Sequence, residues 1–108
     1  MKISVLVCTL AAQLRKNKPS YTQQDAMIRA WIIVKQERAN LSLLTFTKID
    51  GTTTTRVVSE NWSNYQPAKG TGKPVKPGLR LFADIGKHFV GQPCIISTYA
   101  ENIIRLAA

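Results

Sequence analysis

His88 is the only histidine in the chain, and imidazole is the side chain best suited to proton transfer near neutral pH. Acting as a base, it would need a nucleophile or an orienting carboxylate within hydrogen-bond reach. Asp84 lies four residues earlier in the sequence. The six Asp and Glu residues are scattered singly, so no acid–base pair is legible. A hydrolase built on His88 is therefore kept only as a foil, no catalytic residue is assigned, and the chain is read as not an enzyme. Gly70-Thr71-Gly72-Lys73 imitates part of a phosphate loop. The full motif would place Gly at position 67 and Ser or Thr at position 74. Proline stands at both, and Pro74 also removes a backbone N–H that such a loop uses. No nucleotide cofactor is expected. Cys8 and Cys94 have apolar neighbours and form no CxxC or Cys/His cluster, so they read as reduced core thiols with no metal.

The remaining chemistry is electrostatic. Fifteen Lys and Arg oppose six Asp and Glu, a net charge of +9. The excess is concentrated in two stretches. Residues 1–40 hold seven basic and two acidic groups, and residues 67–80 hold four basic groups and no acid. Arg15, Lys16 and Lys18 lead the first stretch. Lys69, Lys73, Lys76 and Arg80 form the second. Trp62 and Tyr65 border that second stretch, and aromatic rings beside cations suit stacking on unpaired bases. These nine residues are the expected nucleic-acid contacts, and the partner is DNA or RNA. Phosphate contacts carry no base code, so binding is expected to be largely independent of sequence. The alternative is an adaptor or ligand-sensing domain that uses a sheet edge or an aromatic groove to bind a protein or small molecule.

Elements must bring these residues together. With 108 residues and a hydrophobic share of 44 %, the chain suits a single domain with a real core. Met1-Lys2 followed by an apolar run from Ile3 to Ala12 imitates a signal peptide, but the run is too short for one and cannot span a bilayer. At helical spacing Ile3, Leu6, Val7, Leu10 and Leu14 share one face. This predicts a packed helix from about Lys2 to Arg15, ended by Pro19, in a cytoplasmic protein. A second helix starts near Ser20 or Thr22, where Ser20-Tyr21-Thr22-Gln23 fits a capping box, and fades near Glu37 to Ala39. Met27, Ala30, Trp31 and Val34 give its stripe. Ile28, Ile32 and Ile33 widen it, so this helix is expected to be covered on more than one side.

From Leu41 the pattern alternates, with Leu44 and Phe46 on one side. Asp50-Gly51 signals a type I′ turn. Thr52 to Ser59 is the return strand, and its threonines read as a solvated face. From Pro67 to Gly78 half of the twelve residues are Pro or Gly, a loop composition. Further strands are expected at Leu79–Asp84 and Pro93–Thr98, with a short turn over Ile85–Val90. The segment Ala100–Leu106 then supplies a last turn or strand. The fold class is thus α+β. Residues 1–39 form the helical part, and 41–106 form a small antiparallel barrel with a loop at 66–79.

Three pieces carry a likeness to known proteins. They are Ala30-Trp31, then Phe46-Thr47-Lys48-Ile49-Asp50-Gly51 with Arg56, then Leu81-Phe82-Ala83-Asp84 followed by Ser97 and Glu101-Asn102-Ile103-Ile104. In order and spacing, from about Ala26 to Ile104, the chain resembles the small bacterial and phage Sm-like, SH3-barrel family related to the WYL domain. The resemblance implies two helices on an SH3-like barrel and implies little about activity. Ile95 and Ile96 stand where a Trp-Arg pair would fall, so no ligand-contacting arginine is carried over.

Overall fold

Leu6, Val7, Leu10, Ala11 and Leu14 are buried along one side of the first helix, α1 (Ile3–Asn17). The computed structural model containing it describes residues 3–65 and 77–107. Lys69, Lys73 and Lys76 lie outside the described residues. The helix runs two residues past the expected end at Arg15, and Lys18 N still donates to Leu14 O at 2.8 Å. Pro19, not the basic run, sets the limit. The second helix, α2 (Gln23–Glu37), is capped by Thr22, whose Oγ1 accepts from Asp25 N at 3.1 Å. Ala26, Ala30, Ile33 and Val34 bury its inner side against the core it shares with α1. Small side chains at two of these positions let the helices approach closely.

Alternation then takes over. Strands β1 (Ser42–Thr47) and β2 (Thr53–Ser59) pair antiparallel from Ser42↔Val58 to Thr47↔Thr53. The Thr45 and Thr55 hydroxyls meet across the pair at 2.9 Å. The hairpin turn differs from the expected type I′. That type needs positive φ at both central residues, whereas only Gly51 (φ 88°) is left-handed and Asp50 is not. The Asp50 carboxylate accepts from Thr52 N at 2.9 Å and from its hydroxyl at 2.6 Å, which holds Asp50 in an ordinary conformation. Those hydrogen bonds, led by the hydroxyl, also lower its pKa.

Strand β3 (Leu79–Asp84) runs straight into a single helical turn, α3 (Ile85–His88), which is N-capped by Asp84. Strands β4 (Ile95–Tyr99) and β5 (Ile103–Ala107) follow, separated by a 3₁₀ turn over Ala100–Asn102. The result is an α+β fold with two long helices and one five-stranded antiparallel sheet in the order β4-β3-β2-β1-β5. The expected barrel closure is not formed, because β4 and β5 lie at opposite edges and do not pair. The sheet must nevertheless curl. In a flat sheet these edges would stand about 19 Å apart, at four strand spacings. Four Cα steps from Tyr99 to Ile103 reach at most about 15 Å, and a helical turn much less.

Curling divides the core in two. Leu44, Phe46, Val58 and Phe82 are buried together inside the curl, with Ile96, Ile103 and Leu106 against them, so every strand contributes. The second cluster joins α1 and α2 to Val57 and Ile85. Adjacent residues Val57 and Val58 thus serve opposite faces of β2, as strand alternation requires. One expected core thiol is misplaced, because Cys8 is exposed on α1 while Cys94 is buried. At helical spacing Cys8 falls outside the Leu6/Leu10/Leu14 face. Among the described residues no helix is long and apolar enough to cross a membrane.

Candidate nucleic-acid interface

The ladder between β2 and β3 covers only Val58↔Asp84 and Ser59↔Ala83. Beyond it a side chain takes over. Gln13, on α1, accepts from Val57 N at 2.7 Å through Oε1 and donates to Asp84 Oδ1 at 2.9 Å through Nε2. The amide thereby satisfies the β2 edge and ties α1 to the end of β3. Asp84 also accepts from Arg56 Nη1 at 3.1 Å and from Lys87 N at 3.3 Å. Its side chain is 2 % exposed and that of Arg56 17 %. A buried carboxylate that accepts three donors is fully satisfied, and it fixes the guanidinium beside it.

Where the ladder stops, a cleft of about 600 Å³ opens between α1, β2 and α3. Lys16, Arg56 and Lys87 line it from these three elements, with Gln13, Thr54 and Thr55 among the other walls. Three cations thus face one carboxylate, and that carboxylate is already engaged with Arg56. An anion entering the cleft would meet a net positive field, an oriented planar fork and neutral donors.

Gly86 makes this approach of α3 to α1 feasible. A Cβ there would sit 2.7 Å from Gln13 Cβ. Gly86→Ala is expected to force the helices apart and cost about 1–3 kcal/mol, read as a lower urea midpoint. A variant as stable as the parent would show that α1 yields freely at this point.

Of the described residues expected to contact phosphate, only Lys16 lines this cleft. Arg15 and Lys18 are exposed near the same helix end but project at other angles, since successive helical residues turn by about 100°. Lys18 and Arg29 instead flank the Tyr21 ring, 4.9 and 4.8 Å from its centroid. Arg80 pairs with Glu60 at 2.6 Å and lies 5.1 Å over Phe82. Trp62 is 39 % exposed in a 3₁₀ turn (Trp62–Asn64). Tyr65 is turned inward. Its hydroxyl donates to Glu37 Oε2 at 2.9 Å, and its ring meets His88 edge-on at 5.1 Å. Among the described residues the expected surface is therefore split, with Arg80, Trp62 and Tyr65 around β3 and Lys16 at the cleft. The sequence does not point to Arg56, Lys87 or Gln13, because residues 71 apart such as Gln13 and Asp84 carry no local spacing signal.

Burial, and then the hydrogen bond and charge of Glu37, push the Tyr65 phenol up to about 12. The fold favours the protonated form, so its contribution is present below the ordinary value of 10 and fades as pH rises towards 12. Phenolate absorbance is expected to show one tyrosine of three titrating near 12, and Glu37→Gln is expected to bring it down. Three superimposed titrations near 10 in the parent would contradict the contact.

His88 sits between Tyr65 and Phe89, whose ring lies 4.8 Å away. Asp84 does not orient it, since the carboxylate serves Gln13, Arg56 and the Lys87 amide. Burial raises the Cys94 thiol above its ordinary range. Among the described residues no group of His, Cys, Asp and Glu could hold a metal ion.

A second concavity, about 920 Å³, separates the β1–β2 hairpin from the β3–β4 hairpin. Phe46, Ile49, Leu79, Leu81 and Tyr99 give it mainly apolar walls. No protein-family model, curated protein or solved structure matches this chain.

Proposed function

We propose that the chain is a non-catalytic nucleic-acid-binding module that grips backbone phosphate in the cleft of Lys16, Arg56 and Lys87. The observation that carries this reading is the convergence of three cations from separate elements on one cleft, with Arg56 held in place by Asp84. A guanidinium already oriented loses less freedom on gripping a phosphate. Lys16 and Lys87 act as mobile point charges at the rim. Lys18 and Arg29, gathered on Tyr21 near the end of α1, extend the positive surface. The sheet is read as a half-open SH3-like barrel. Its strand order and the tight 3₁₀ link between opposite edges support that reading.

The apolar groove favours a second reading, an accessory domain that takes a peptide or small apolar ligand between the two hairpins. Fluorescence anisotropy with labelled single- and double-stranded oligonucleotides at two salt concentrations separates the two. Three phosphate contacts predict a slope of about −3 in log affinity against log salt on duplex DNA. Absent or salt-insensitive binding would remove the first reading.

A further inference from the structure

Helix α2 carries two apolar stripes, and the fold covers one. Ala26, Ala30, Ile33 and Val34 face the core. On the outside Ile28 is 52 %, Trp31 42 % and Ile32 49 % exposed. With Asp25 and Lys35, also exposed, these residues fall within one face of the helix at i, i+3, i+4 and i+7 spacing. A contiguous apolar stripe with charges at its two ends marks an interaction surface rather than a solvated one.

The order of residues along this stripe singles out a partner. A two-fold contact requires the same surface on both sides to complement itself. If two α2 helices cross antiparallel at the level of Ala30, Asp25 stands opposite Lys35 of the other copy. Ile28 then stands opposite Ile32, and Trp31 flanks them under its own Lys35, whose Nζ lies 5.4 Å from the ring centroid. The isoleucines meet each other, and each charge at the ends meets its opposite. Only residues read the same way from both ends, about one centre, give this pattern. A lipid surface or an unrelated helix has no need of the symmetry.

We propose that this chain forms an antiparallel two-fold dimer through the outer face of α2, with Asp25 of each copy paired to Lys35 of the other. The proposal is independent of the phosphate cleft, whose residues lie on α1, β2 and α3. The contact is one helix long, at the small end of specific interfaces, so the dimer forms in the micromolar range.

The test is sedimentation velocity of the full chain from low to high micromolar concentration, without oligonucleotide. The parent is expected to pass from monomer to dimer. Ile32→Asp is expected to stay monomeric with an unchanged circular dichroism spectrum. Asp25→Lys and Lys35→Asp are each expected to weaken the dimer roughly tenfold, and the combined swap to regain it. The swap keeps its meaning even if Ile32→Asp fails to fold. A parent that is monomeric throughout overturns the proposal, and so does a dimer unaffected by the single charge reversals or a swap that restores nothing.

Discussion

Asp84→Ala is expected to lower the stability of the fold by about 3–5 kcal/mol, the usual cost of removing one partner from a buried ion pair. The carboxylate is almost wholly enclosed and accepts from Gln13, Arg56 and the Lys87 amide. Alanine leaves all three donors without a partner, uncaps α3 and strands the Arg56 charge at a mostly buried position. It also frees Gln13, which secures Val57 N beyond the β2–β3 ladder. A domain of this size has about 5–15 kcal/mol in total, so the variant would stand near its unfolding threshold. Urea unfolding reads the loss as a lower midpoint at an unchanged slope. A loss under about 1 kcal/mol would mean that water replaces the network, and Arg56 would then not be preorganised.

The second large effect is on binding. Lys16→Ala with Lys87→Ala is expected to weaken oligonucleotide affinity at least about a hundredfold, since each charged contact contributes about 1.5 kcal/mol or more. It is also expected to reduce the salt slope by about two. Neither lysine has a carboxylate partner among the described residues, so the unfolding midpoint should hardly move. Arg105→Ala, exposed on β5, serves as the control and is expected to leave affinity unchanged. Equal loss from Arg105→Ala would mean that charge attracts the nucleic acid without a defined cleft.

Local chemistry made the elements readable. Leu6 to Leu14 at helical spacing marked α1, and Leu79–Asp84 coincided with β3 to the residue. Pro19 and Gly51 placed a boundary and a turn, although the Asp50 side chain changed the turn type. The cleft was not readable, because it depends on where a two-residue ladder ends and on a glutamine that substitutes for the next strand residue. Composition also cannot show which aromatic ring turns inward. Tyr65 borders a basic loop in sequence, yet Glu37 on α2 captures its hydroxyl. The double apolar stripe of α2 was visible as residue types, but only the fold shows that one side stays bare.

Phosphate capture between α1, β2 and α3 is best tested by following the backbone amides of isotope-labelled protein by NMR while a short oligonucleotide is added. The expected result is a set of saturable shifts centred on Gln13, Lys16, Thr54, Thr55, Arg56 and Lys87, fading as salt is raised. Shifts confined to Ile49, Leu79, Leu81 and Tyr99, or none at all, would contradict it.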